Sequence, residues 1–410
     1  MKKTFLIACF AFLMAASLQA QNKSYITSIF DYLPAPGQFI NTMPVYNQGE
    51  PKDSVMARVA QALCGQTIID EYEAPDGTLV SDTTIKISNG TISLGSFGGY
   101  VVFGFDHPVV NVDGEYDLQI FGNAFQSDSL NNLSGGSCEP GIVMVSRDLN
   151  CNGIPDDPWY ELAGSEYNSP LTQHGYTITF YKPDEEKEKE PDPNYSFIND
   201  MTYIQWTSND ALNPDSVSGY LARNSFHNQS YWPQWVDAES ITFTGTKLNN
   251  NAVDASNNHT GTYFVQLFYD WGYVDNRPDY KYTDGTPYSN LNYGFNLDWA
   301  VDADGNHVNL PQIDFVKVYN AMNQYCGWLG ETSTEVAGAI DLHPDAVVTH
   351  LKGDVNADGK VNVSDVTTLI NMILGVLPID KELADVNSDG LVNVSDVTAL
   401  INIILGILVV

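Results

Sequence analysis

From about residue 21 to residue 344 the chain runs in short stretches of β-branched, aromatic and aliphatic residues, each closed by Gly, Asn, Asp or Pro. The clearest are 100–105 (Tyr-Val-Val-Phe-Gly-Phe), 116–121 (Tyr-Asp-Leu-Gln-Ile-Phe), 141–145 (Gly-Ile-Val-Met-Val) and 315–319 (Phe-Val-Lys-Val-Tyr). Runs of this kind between turn residues predict strands, and many in succession predict a β-sandwich. One helix is predicted over 54–63, where Val55, Val59, Ala62 and Leu63 fall on one face. Near the C-terminus the period changes. Val366, Leu369, Ile370 and Ile373, then Val397, Leu400, Ile401 and Ile404, follow the i, i+3, i+4, i+7 spacing of an apolar helix stripe, and two such stripes can bury each other. The predicted fold class is mainly β, with a small all-α domain at the end.

Each C-terminal stripe is preceded by the pattern Asp-x-Asn-x-Asp-Gly-x-x-Asn-x-x-Asp, at 354–365 and again 31 residues later at 385–396. A hard cation such as calcium takes roughly six to eight oxygens, and a twelve-residue loop offers them from positions 1, 3, 5, 7, 9 and 12, with glycine at 6 for the sharp turn. In the first copy these are Asp354, Asn356, Asp358, the Lys360 carbonyl, Asn362 and Asp365, with Gly359 at the turn. The second supplies Asp385, Asn387, Asp389, the Leu391 carbonyl, Asn393 and Asp396, with Gly390 at the turn. Calcium is therefore the predicted cofactor. Position 12 is Asp where an EF-hand has Glu, and Leu351-Lys352 leaves no room for an entering helix.

This loop-helix, linker, loop-helix plan over about 353–406 resembles the type I dockerin family. The resemblance implies two bound calcium ions and docking onto a cohesin-like or other docking protein, often within polysaccharide-degrading systems. The pairs just before position 12 are Val363-Ser364 and Val394-Ser395, not the hydroxyl pair many dockerins use in partner recognition. The implied partner therefore departs from a standard cellulosomal cohesin.

The cation pattern returns once outside this region. Asp148, Asn150, Asn152, the Ile154 carbonyl and Asp156 stand at loop spacing, with Gly153 at position 6. Position 12 is Trp159, so the distal carboxylate falls to Asp157, Glu161 or a residue elsewhere. An Asx-rich hairpin turn would use the same side chains to satisfy backbone donors, and that alternative stays open. The shorter Asp302-Ala303-Asp304-Gly305-Asn306 is expected to be a turn between strands.

Composition narrows the setting. Residues 1–20 carry Lys2 and Lys3, an apolar stretch over 5–16 and Ala20, the plan of a secretory signal peptide; export to the cell surface, periplasm or medium is the expectation. No other apolar run is long enough for a transmembrane segment. With 18 Lys and Arg against 51 Asp and Glu, a net charge of −33 excludes nucleic acid as a natural partner, because phosphate binding needs clustered cations. A hydrophobic share of 43% and an aromatic share of 12% are enough to build cores, so the charge is no sign of disorder. Export permits disulfides; Cys64, Cys138, Cys151 and Cys326 allow three pairings, of which Cys138 with Cys151 closes the shortest loop.

Five segments, 92–99, 105–108, 117–125, 295–301 and 313–319, resemble a jelly-roll core of uncharacterised Bacteroides-type cell-surface proteins. The resemblance implies a jelly-roll-like β-sandwich over 21–344, with 182–293 as an excursion from it, followed by the dockerin-like domain at 353–406. Within that excursion Trp206, Phe226, His227, Tyr231, Trp232, Trp235, Trp271 and Tyr273 gather beside Asn224, Asn228 and Gln229. Flat rings cover a pyranose face while amides bind its hydroxyls, so these rings are candidates for a glycan or other nutrient ligand; filling a core is their other use. No Gly-x-Ser-x-Gly elbow, His-Glu-x-x-His helix or phosphate-binding glycine loop occurs. A glycosidase needs only two carboxylates, for which Glu139, Glu239, Glu331 and Glu335 are available without any sequence rule to pair them. Three readings follow: a non-catalytic glycan-binding surface protein, a glycoside hydrolase or lyase, and a binder of a non-sugar nutrient such as a corrinoid.

Overall fold

The structure, a computed structural model, describes residues 24–64, 71–73, 79–81, 90–126, 135–277, 294–348, 351–358 and 360–407. The signal segment expected at 1–20 and Gly359 lie outside the described residues. Ten strands build the two largest sheets: β1 (Ser28–Leu33), β2 (Tyr100–Gly104), β3 (Gly141–Ser146), β4 (Trp159–Leu162), β5 (Gln173–Tyr181), β6 (Ile198–Ser208), β7 (Ser218–Asn224), β8 (Ser240–Lys247), β9 (Ala300–Val301) and β10 (Phe315–Asn320). The larger sheet has the order β1-β2-β10-β3-β4-β9 and the smaller β7-β6-β5-β8. All neighbours are antiparallel, and both sheets are open.

Alternation along the strands decides what packs where. In β3, Val143 and Val145 enter one core while Ile142 and Met144 enter another; in β10, Val316 and Val318 oppose Tyr319. Side chains with a period of two thus put apolar groups on both faces, and the larger sheet is buried on both sides. One face packs beneath helix α1 (Lys52–Leu63), which buries the predicted Val55, Val59, Ala62 and Leu63, and beside Leu118 and Ile120 of a strand at Leu118–Phe121. The other face meets Ile178, Phe180, Ile204 and Phe243 of the smaller sheet. Strands β6, β7 and β8 come from the stretch expected as an excursion. Those three strands, within 198–247, belong to a packed layer of the sandwich.

Two further expectations are corrected. The stretch 295–301 is not one strand: the Asn296 side chain accepts from the Asp298 N–H at 2.7 Å and caps a turn of 3₁₀ helix over Leu297–Trp299. Cys138 and Cys151 are not bridged. Cys138 lies in the core with its carbonyl taken by the Asn251 amide, whereas Cys151 sits exposed at a loop tip with φ of 58°.

The C-terminal region has three helices, α2 (Val363–Ile373), the short α3 (Lys381–Ala384) and α4 (Val394–Ile404). Leu369 and Leu400 are fully buried between α2 and α4, with Met372, Val355 and Val386 around them. Ile370 and Ile401, placed in the buried stripe by spacing, are instead 40% exposed. Among the described residues no helix is long and apolar enough to cross a membrane.

Candidate functional site

The two C-terminal loops share most of their hydrogen bonds. Asp354 Oδ1 accepts the Asp358 N–H at 3.0 Å, as Asp385 Oδ1 accepts that of Asp389 at 3.0 Å. Position 5 accepts the N–H of position 7 at 2.9 Å in both, through Asp358 and Asp389. Position 4 is left-handed in each, Ala357 at φ 54° and Ser388 at φ 62°. The position-12 carboxylates, Asp365 and Asp396, are wholly buried. Each accepts two backbone N–H groups, from Asn356 and Asn362 and from Asn387 and Asn393. The same Asp, with Asn at position 9, forms the capping box of the following helix, so loop geometry and helix start are one structure. The side chains at positions 1, 3, 5, 9 and 12 of each loop are all carboxylates or amides, the donor types a hard divalent cation takes.

Residues 352–405 match the family model of the dockerin type I domain. No curated protein matches the chain. The dockerin module is a calcium-binding, partner-docking unit. Its outer surface repeats as its loops do: Val363 and Val394, Ile370 and Ile401, and Leu374 and Leu405 form three exposed apolar pairs. Apolar groups in matched exposed positions on two helices are a docking surface in chemical terms. The dockerin also touches the sandwich. Arg147 forms a buried ion pair with Asp380 and a second bond to Glu382 at 3.3 Å, and Lys381 Nζ donates to the Asn150 carbonyl at 3.3 Å.

Asn150 belongs to the third loop, which has the dockerin loop conformation through position 7. Cys151 (φ 58°) occupies the left-handed position 4, and Asp148 accepts from Asn152 N–H at 2.9 Å and Gly153 N–H at 2.7 Å. In the second dockerin loop, Asp385 accepts the Gly390 N–H at 2.8 Å. Asn152 Oδ1 accepts the Ile154 N–H at 2.7 Å, as position 5 does elsewhere. The loops differ beyond Ile154. There Asp157 accepts the Leu149 N–H at 3.0 Å and the Asn150 amide at 3.2 Å, on the side where a position-12 carboxylate would stand. Asp156 accepts from the Asn150 and Asn152 amides. By contrast Asp302 only ties its own hairpin, accepting from Asp304 and Asn306 N–H, as a turn does.

A pocket of about 310 Å³ opens on the sandwich. Its floor carries Glu139, just before β3, and Glu335, which begins a strand pairing with Ser93. Asp275 lies behind them, its Oδ1 accepting from Asn123 and Ala124 N–H at 2.7 Å and its Oδ2 from Glu335 N–H at 3.0 Å. Oxygens of the three carboxylates lie within 4.8 Å of one another, so together they could hold a metal ion. Burial raises Glu139 to about 7; Glu335 is pushed well above its ordinary value, by burial and then by the charges of Glu139 and Asp275. Both acids therefore hold their protons to higher pH than a free carboxyl does. Gln266 and Ser137 also donate to Glu139, and Ser333 donates to Glu335 at 3.0 Å. The rim is aromatic: Phe39, Phe125, Phe226, His227 and Trp328, with Phe226 66% and Phe125 53% exposed. Phe226 and Trp328 meet edge to face at 6.5 Å.

Of the eight rings expected to bind ligand, Phe226 and His227 line this pocket and Trp206 lines another. Tyr231, Trp232 and Tyr273 are buried, and their polar tips are spent on backbone groups of Asn224, Val236 and Glu166. Those bonds explain how such rings tolerate the core, and they leave nothing to offer a ligand. Trp235 packs against Tyr32 and Tyr46, and Trp271 against Trp299. Among the four candidate carboxylates Glu139 and Glu335 line one pocket, Glu331 lies four residues from Glu335, and Glu239 is exposed elsewhere. Sequence reasoning missed Phe39, Phe125, Gln266, Asp275 and Trp328, which come from separate segments with no shared spacing.

Proposed function

We propose that the chain is an exported, calcium-binding, non-catalytic surface protein whose sandwich binds a glycan at the Glu139–Glu335 pocket and whose dockerin anchors it to a partner. The observation that carries the reading is the pocket's construction, exposed rings above hydrogen-bonding carboxyls. Rings such as Phe226 and Trp328 offer flat apolar faces, and carboxyls that burial keeps protonated to higher pH can donate as well as accept towards sugar hydroxyls. The jelly-roll resemblance and the signal-like residues 1–20 agree with a surface location. Calcium in the third loop, held by Asp148, Asn150, Asn152, the Ile154 carbonyl, Asp156 and Asp157, would stiffen the edge on which the dockerin rests.

Hydrolysis is the second reading, favoured by the presence of two buried carboxyls in one pocket with raised pKa values. The spacing weighs against it. Retaining glycosidases keep their carboxyls roughly 5–5.5 Å apart and inverting ones roughly 6.5–9.5 Å. Here oxygens of Glu139 and Glu335 lie within 4.8 Å of one another, inside the shorter of these separations. Titration of a soluble oligosaccharide panel tests both readings. Saturable binding that Phe226→Ala with Trp328→Ala abolishes, and no release of reducing ends, is expected. Reducing ends lost in Glu139→Gln would establish the hydrolase, and no binding at all would remove the glycan.

A further inference from the structure

A second cavity, of about 320 Å³, lies across the 331–335 segment from the first: Glu331 and Thr332 line it, while Glu335 lines the other. Its platform is Trp206 on β6, which pairs in register with Gly219 on the edge strand β7. A Cβ at position 219 would stand 2.6 Å from Trp206 Cζ2, so glycine is what lets the indole lie against the neighbouring backbone. Tyr220, 50% exposed, and Tyr325, 42% exposed, also line the cavity.

The polar groups are arranged for an uncharged ligand. Asp210 and Lys247 form an ion pair at 3.0 Å, both side chains 7% exposed, so the two strong charges cancel. Burial works to raise Asp210, but the bonds from Lys247 and Asn213 hold it below its ordinary value, and it stays ionised. Glu331 is 5% exposed; its Oε1 accepts the Gln38 N–H, and its Oε2 has no hydrogen-bond partner among the described residues. A buried carboxyl oxygen left without a partner is costly and uncommon, and because Glu331 lines the cavity a rotation of its carboxyl would bring that oxygen to a ligand hydroxyl. Burial raises Glu331 to about 8, so near neutral pH the acid is largely uncharged. An aromatic platform, a cancelled ion pair and a neutral acid exclude strong anions and cations as ligands and suit a polyhydroxylated, uncharged ring.

We propose that this cavity is a second saccharide site, with Trp206 as stacking platform and Glu331 as the polar group that takes a sugar hydroxyl. The protein would then engage one glycan chain, or two, at two points, and the second contact would act at high effective concentration.

The test is calorimetric titration of the full chain in calcium with cellohexaose, xylohexaose, mannohexaose and maltohexaose. At least one should fit two sites per chain. Trp206→Ala should leave one site, and Tyr220→Ala, a rim change that disturbs no core, should weaken that same site about 5-fold or more. Phe226→Ala with Trp328→Ala should remove the other site and leave this one. Unaltered titrations in both Trp206→Ala and Tyr220→Ala overturn the second site, whatever happens at the first. Loss of all binding in the Phe226/Trp328 variant overturns it as well while sparing the proposed function. Loss of all binding in Trp206→Ala, with unchanged melting and with Phe226/Trp328 silent, supports this site and removes the first. Absence of binding by every hexaose overturns both.

Discussion

The dockerin and the sandwich are built on opposite principles. In the dockerin a handful of buried apolar residues, Leu369 and Leu400 at the centre, share the work with two acidic loops whose carboxylates repel one another until a cation enters. In the sandwich the order is reversed: two large apolar clusters flank the six-stranded sheet, and acidic groups buried among them hold their protons. Carboxylates of the dockerin loops stand at cation-ligand spacing, whereas Glu139 and Glu335 of the sandwich are acids whose pKa values burial raises.

Chelation separates the two regions most sharply. With EDTA the helical circular dichroism of the dockerin should be lost and should return with calcium, while the β signal persists; unchanged helicity in chelator would break the contrast. Next in size is the pocket. Phe226→Ala with Trp328→Ala should weaken glycan binding about 10-fold or more with little change in melting temperature, because both rings are partly exposed. Equal affinity in the variant would move recognition elsewhere.

The pH dependence should also differ. Glu139 gives up its proton near 7 in the fold and near 4.5 when unfolded, so over that range the folded state holds more protons and stability falls as pH rises. In chelator the sandwich should melt several degrees lower at pH 8 than at pH 5, and Glu139→Gln should flatten that slope. A melting temperature that climbs over this interval would contradict the buried-acid account. The smallest effect belongs to the third loop. Asp148→Ala should lower sandwich melting by a few degrees in calcium and leave it unchanged in chelator. An equal drop in both conditions would make the loop an Asx turn.

What could be read from the residues follows the same division. A calcium loop is local, so Asp354 to Asp365 declare their geometry by spacing, and the position-4 and position-6 conformations seen at Ser388 and Gly390 follow from it. Strands β2, β3 and β10 were legible because apolar runs between turns are local too. The pocket was not. Phe39, Phe125, Glu139, Gln266, Asp275, Trp328 and Glu335 converge only once the sheets pack, and no periodicity links them. Aromatic density in 206–273 pointed to the right part of the chain but could not separate Phe226, which faces solvent, from Tyr231, which is buried five residues later. Exposure is a property of layers, and the layer formed by β5 to β8 is invisible one strand at a time.

The proposed division of labour, recognition by the sandwich and attachment by a calcium-ordered module, is tested most directly by one titration. A hexaose that binds the full chain in calcium is titrated again in EDTA, with circular dichroism recorded on the same samples. Affinity within about 2-fold while the helical signal is lost is the predicted result. Binding that vanishes in EDTA while the β signal stands would contradict it, and would make a cation at Glu139, Asp275 and Glu335 part of recognition.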